Sequence, residues 1–172
     1  MFFKQFRTLS LQKNITLILK SRIKNFQSSK VSSIGVIFDH DSYYNYDFFR
    51  NLIKDLGVKD NKIRFIAKVD LEKNKPNSWD SFFSLDNFDW LGRPKSVDID
   101  DFVEQPFDLL ISYYKPNQLE LNFVTARSKA NFKIGISNED SRLHDLSIDV
   151  EPANTEVFKI ELIKYLTQLN RL

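Results

Sequence analysis

The sequence predicts a three-layer α/β protein on a mainly parallel, five-stranded sheet of the Rossmann or flavodoxin-like kind, opened by an amphipathic helix. Three observations carry that prediction. Short strand-length runs alternate with stretches whose apolar residues recur every three or four positions, the pattern of strands joined by crossover helices. Two of the runs are apolar on both faces, as central strands covered on both sides must be, and two alternate apolar with polar. Sixteen phenylalanines against four glycines in 172 residues point to one aromatic-rich core and leave no stretch with linker character.

In chain order, Leu11, Ile15, Ile18, Leu19, Ile23 and Phe26 share one helical face, so residues 10–26 read as an amphipathic helix. Ile34 to Phe38 is a continuous apolar strand. Asp41 or Ser42 is placed to cap a following helix through Tyr44, Phe48, Leu52 and Leu56, which Gly57 ends in the left-handed conformation. Ile63, Phe65, Ala67 and Val69 alternate with Arg64, Ile66 and Lys68 as a second strand with one face mostly wet. Leu109 to Ile111 form a third strand. Asn117 with Glu120 resembles a capping box opening a helix through Leu119, Phe123, Ala126 and Ala130. Phe132 to Ile136 is a fourth strand and Leu146, Ile148 and Val150 belong to a fifth. Asn154 caps a last helix with a core face of Phe158, Leu162, Tyr165, Leu166 and Leu169.

Residues 70–106 fit this alternation least. They are too long for a plain connection and hold Trp79, Phe82, Phe83, Leu85, Phe88, Trp90 and Leu91, so they read as a short hairpin or irregular aromatic excursion. A turn at Gly92-Arg93-Pro94 and a brief helix near Ile99 to Glu104 follow. The organisation is thus a basic helical region over residues 1–30 and a single α/β domain over 31–172.

The polar alternation of the second and fifth strands places them at the sheet edges and selects the order 2-1-3-4-5. The strand order then reverses between the first and third strands, where open α/β sheets bind ligands at the carboxyl ends. The expected mouth is Asp39, His40 and Asp41 facing Ser112, Tyr113, Tyr114 and Lys115.

Charge is unevenly spread. Residues 1–38 hold Lys4, Arg7, Lys13, Lys20, Arg22, Lys24 and Lys30 with no acid. Removing those seven from 25 basic residues leaves 18 against 23 acids, so residues 39–172 carry a net −5. Such a helix suits RNA or an anionic membrane, but packing its stripe on the sheet is the favoured expectation, with nucleic acid or membrane the less favoured use. The absence of cysteine excludes disulfides, thiolate metal sites and thiol nucleophiles. Neither a secretory signal nor a membrane-length apolar run is read, which leads to the expectation of a soluble, cytoplasmic protein.

The strand ending Ile37-Phe38-Asp39-His40-Asp41 resembles the first motif of haloacid-dehalogenase-type phosphatases. That resemblance implies Asp39 as nucleophile, Asp41 as general acid/base and a magnesium ion between them, with Ser112 binding phosphate. It further implies Lys129 or Lys133 as the neutralising lysine and Glu139 with Asp140 as distal metal ligands. The plainer and preferred reading makes Asp41 a helix cap and Asp39 a turn residue, with no metal. His40 and His144 read as polar loop or strand-edge residues, not ligands. No Ser-His-Asp order, HExxH or phosphate-loop glycine motif occurs.

Phe88-Asp89-Trp90 with Gly92, Phe107 through Tyr114, Ser128-Lys129-Ala130 with Phe132 to Gly135, and Glu161-Leu162 with Lys164 to Leu166 resemble a family of uncharacterised flavobacterial-type cytoplasmic proteins, a domain of unknown function. The resemblance spans nearly the whole chain and implies a bacterial origin and a compact α/β domain. The strand at Leu109, Ser128 to Ala130 and Lys133 to Gly135 are also similar to the N-terminal half of heptosyltransferase-like glycosyltransferases. That similarity implies the fold alone, since those enzymes need a second Rossmann-like domain.

The leading functional expectation is a non-catalytic or accessory domain that binds a partner or small ligand at the mouth. It is expected to be a homodimer through Trp79, Phe82, Phe83, Phe88 and Trp90, because large exposed aromatics favour homodimer interfaces. A magnesium-dependent hydrolase using Asp39 and Asp41 is the alternative, and an anionic-surface binder using residues 4–30 the third.

Overall fold

A strand that is apolar at every position must be covered on both faces, and Ile34–Asp39 (β1) and Leu109–Tyr113 (β4) are buried along their whole length. The structure, a computed structural model, describes residues 2–24, 29–42, 45–70, 81–136 and 140–172. β1 and β4 pair in parallel at the centre of a sheet completed by Ile63–Lys68 (β2), Ser81–Phe83 (β3), Lys133–Ile136 (β5) and Leu146–Ile148 (β6). The order is β3-β2-β1-β4-β5-β6, parallel throughout.

The period of two along each strand divides the side chains between two cores. Ile34, Val36, Phe38, Ile111 and Tyr113 pack under Tyr46–Asp55 (α2) and Thr155–Gln168 (α5), whose Phe49, Leu52, Phe158, Leu162 and Leu166 are buried among them. Ile37, Ile66, Phe83 and Leu110 meet Phe2–Ser21 (α1), Val97–Glu104 (α3) and Leu119–Arg127 (α4) on the other face. The class is therefore the three-layer α/β class that the alternation predicts.

The sheet has six strands where five are predicted, and β2 is not an edge. β3 comes from the aromatic excursion, in place of the expected hairpin, and pairs only with Ile66 to Lys68. The first half of β2 keeps an open side, which is why Arg64 is exposed and the strand reads as an edge. Three residues of β3 are too few to show a period. The five predicted strands keep their relative order.

Helix ends differ locally. α2 is capped by Asn45, whose side chain accepts from Phe48 N at 2.9 Å, and neither Asp41 nor Ser42 reaches it. Gly57 stands at φ 75°, closing α2 in the left-handed conformation as expected. Asn117 adopts φ 66° one residue before the N-cap Gln118, so the capping box expected with Glu120 does not form. α1 starts earlier and ends at Ser21, leaving Ile23 91% exposed, while Leu11, Ile15 and Leu19 enter the second core. Phe26 and Tyr44 lie outside the described residues.

Candidate functional site

Strand order reverses between β1 and β4, and the carboxyl ends of β1 and β2 stand beside the start of α4. Asp39, the last residue of β1, shares the face of Ile37 and is 4% exposed. Its Oδ2 accepts from the Ser42 hydroxyl at 2.5 Å and from Gln118 Nε2 at 3.2 Å, while Oδ1 accepts from Asp41 N at 3.3 Å. Lys68 ends β2 in register with Asp39. Its ammonium donates to Gln118 Oε1 at 2.6 Å and lies 3.5 Å from Glu120 Oε2, an ion pair whose side chains are 22% and 16% exposed. The Gln118 amide therefore bridges an anion and a cation, spending its nitrogen on one and its oxygen on the other.

Of the seven predicted mouth residues, Asp39, His40, Asp41 and Lys115 sit at the carboxyl edge. His40 N donates to Lys68 O at 3.0 Å, and Asp41 Oδ2 accepts from Asp70 N at 2.7 Å, tying the two strand ends together. Lys115 is exposed on the rim. Ser112, Tyr113 and Tyr114 do not line the mouth, because the strand alternation still governs them and turns each into a core. Tyr113 enters the first core, its ring edge-on to Phe49 at 5.2 Å and Phe158 at 4.9 Å and its hydroxyl donating to Pro152 O at 2.8 Å. Ser112 Oγ and the Tyr114 hydroxyl both meet Thr125 Oγ1, at 3.2 and 2.8 Å, on the opposite face. Burial raises the Tyr114 phenol well above its ordinary range. Ser42, Lys68, Gln118 and Glu120 take the places left. Lys68 was legible as the end of an edge-like strand; nothing in the sequence marks Gln118.

The parts of the phosphatase resemblance do not gather. Ser112 faces Thr125, Lys129 pairs with Glu104 and Asp140 with Arg142, and Glu139 lies outside the described residues. Both carboxylates at the mouth already accept from protein N–H and O–H donors. Among the described residues no three His, Cys, Asp or Glu side chains form a cluster.

A second polar cluster lies below the mouth, beside β5. Lys133 is 2% exposed and its ammonium donates to the carbonyls of Thr125 and Ala126, at 2.7 and 3.2 Å, in the last turn of α4. Burial, helped by the Arg22 guanidinium and opposed by Asp145, pulls this amine down to about 7. His144 lies across Gly135 so closely that a Cβ there would come within 2.3 Å of its ring. Both its ring nitrogens are buried without a hydrogen bond, and burial with the positive charges of Lys133, Arg22 and Lys24 lowers it to about 3. Asp145 Oδ2 accepts from Arg22 at 2.6 Å and from Lys133 N at 2.8 Å, pinning the segment after α1 to the end of the sheet. A cleft of about 590 Å³ runs past Arg22, Ser128 and Lys133.

The aromatic excursion is mostly consumed by the core. Phe83 and Phe88 are buried, and Phe82 is half-buried against the first core. Trp90 is 55% exposed, and Trp79 lies outside the described residues. No described helix is long and apolar enough to cross a membrane. Compared with known proteins, residues 7–169 match a family model described as a family of unknown function, DUF6913. No curated protein and no solved structure matches the chain, so the similarity to heptosyltransferase-like enzymes is not confirmed.

Proposed function

This chain belongs to the DUF6913 family of unknown function, and we propose that it is a non-catalytic binding domain that takes a small polar ligand at the carboxyl edge of its sheet. The observation that carries this reading is the Gln118 amide held between Asp39 and Lys68 where the strand order reverses. Three polar side chains from three elements meet there, each satisfying another. A ligand with a donor for Asp39 and an acceptor for Lys68 exchanges for the amide without leaving a buried charge unpaired. Such a ligand is a small zwitterion or a polyol bearing an anionic group.

The binding reading is favoured over the magnesium-dependent hydrolase because the hydroxyl and lysine that hydrolysis would use point elsewhere. The test is a thermal-shift and calorimetric screen of amino acids, organic acids, sugars and sugar phosphates. A ligand at a hundred times its dissociation constant stabilises the fold by about 2.7 kcal/mol. Its effect should disappear in Asp39→Asn and in Lys68→Ala. Hits that bind both variants unchanged place the site elsewhere. Phosphatase turnover that needs magnesium and is lost in Asp39→Asn overturns the non-catalytic reading.

A further inference from the structure

A surface helix of an α/β protein ordinarily turns one apolar stripe inward and a polar face outward. α1 does not. Leu11, Ile15 and Leu19 point into the second core, and the opposite side of the helix carries Phe6, Leu9 and Leu17, which are 49%, 64% and 54% exposed. The apolar residues of α1 are divided between two faces, so the helix has no net amphipathic direction.

Trp90, on the turn packed beside α1, extends the outer face; its ring lies 6.5 Å from that of Phe6 and is 55% exposed. Ile23, just past the helix end, is 91% exposed. These five are the majority of the nine large apolar side chains that stand exposed among the described residues. Scattered exposed apolar residues need no explanation, but a row of them along one helix does.

The same outer face carries Lys13 and Lys20, both exposed and without an ion pair among the described residues. No acid occurs anywhere in residues 1–38, whereas residues 39–172 carry a net −5, the difference between their 18 basic and 23 acidic residues. We infer that the outer face of α1, with Trp90, docks on an anionic lipid surface, lying along it and not crossing it. Phe6, Leu9, Leu17 and Trp90 enter the boundary between headgroups and acyl chains, and Lys13 and Lys20 take the lipid phosphates. The acidic remainder is repelled by the same surface, so the charge asymmetry orients the protein with α1 downward.

Two other occupants fit less well. A second copy packed on this face about a two-fold axis sets Lys13 and Lys20 against the same lysines, a like-charge contact in a desolvated interface. RNA takes the lysines but has no use for Leu9 and Leu17, since single-stranded bases stack on aromatic rings and not on leucines.

The experiment is sedimentation of the full chain with vesicles of phosphatidylglycerol and phosphatidylcholine in equal parts, against pure phosphatidylcholine, at about 0.1 M and about 0.5 M salt. The protein is expected to sediment with the anionic vesicles and to be released by the higher salt. Leu9→Ser with Leu17→Ser, and separately Lys13→Glu with Lys20→Glu, should each weaken the partition by about tenfold or more. All four positions are exposed, so circular dichroism melts should match the wild type. In a Trp79→Phe background, Trp90 emission should shift to shorter wavelength on vesicle addition. Failure to sediment, or partition that both double variants leave unchanged, overturns the inference. So does a wild-type dimer that Leu9→Ser with Leu17→Ser converts to monomer, or RNA binding that the leucine changes spare and the lysine changes abolish.

Discussion

Lys133 sets the pH dependence of stability on the alkaline side. Its amine is 2% exposed and reaches two carbonyls at the negative end of α4, which favours its charged form, yet burial prevails and the group titrates at about 7 against an ordinary 10.5. In the unfolded chain the amine keeps its ordinary value. Between the two values the unfolded state binds the extra proton, so stability rises with pH across that window. The contribution of the neutral amine is complete above the unfolded value and is lost as pH falls through the folded one. From pH 7 to pH 9 the gain is about 2 kcal/mol, with the slope approaching roughly 1.4 kcal/mol per pH unit. Lys133→Met keeps the stem and removes the titration. It also gives up two hydrogen bonds, at about 1 kcal/mol each, but that loss does not vary across the window. Urea unfolding followed by circular dichroism should therefore show wild type gaining about 2 kcal/mol on Lys133→Met between pH 7 and pH 9. Parallel pH profiles, or a difference that narrows with pH, refute the argument from burial.

The remaining predictions concern neighbouring contacts. His144 is lowered to about 3 against 6.5, so the wild type should lose stability as pH falls from 6.5 toward 3, and His144→Leu should flatten that limb of an acid melt. Gly135→Ala drives a methyl into the His144 ring, 2.3 Å from the ideal Cβ, and should cost about 1–3 kcal/mol, partly restored by adding His144→Ala. The Asp108 carboxylate accepts from the backbone and hydroxyl groups of Ser32 and Ser33 at 2.6 to 3.0 Å; burial pushes its pKa up, but the four bonds together hold it below the ordinary value. Asp108→Ala should cost about 1–2 kcal/mol at neutral pH by chemical denaturation, and the difference should shrink as acid protonates the wild-type carboxyl. Asn45→Ala should lower stability by about 1 kcal/mol through loss of the α2 cap, while Ser42→Ala leaves the helix cap untouched.

The sequence by itself determined the layering of this protein and the relative order of five of its six strands. Runs such as Ile34 to Phe38 and Leu109 to Ile111 are apolar at every position, and only a central strand between two helical layers satisfies them. Right-handed crossovers leave few topologies, and the polar alternation of the second and fifth predicted strands selects the one that reverses between β1 and β4, although β3 then pairs with the second half of β2. Gly57 announced its turn because a left-handed residue at a helix end favours glycine. The sequence also held the charge asymmetry of residues 1–38 and the inward stripe of α1, Leu11, Ile15, Ile18 and Leu19, which packs on the second core. The exposed Phe6, Leu9 and Leu17 on the opposite side fall outside that stripe.

Tertiary structure alone decided the rest. β3 is three residues long, shorter than any period can register, and exists because the second half of β2 offers it a ladder. Ser112, Tyr113 and Tyr114 were drawn to the mouth by nearness along the chain, whereas the pleat sends them into opposite cores. Gln118 carries no local signature, since its role comes from meeting Asp39 and Lys68, 79 and 50 positions away. The depressed amine of Lys133 and the unpaired ring of His144 arise likewise from burial, a property of the assembled layers that no window of neighbouring residues contains.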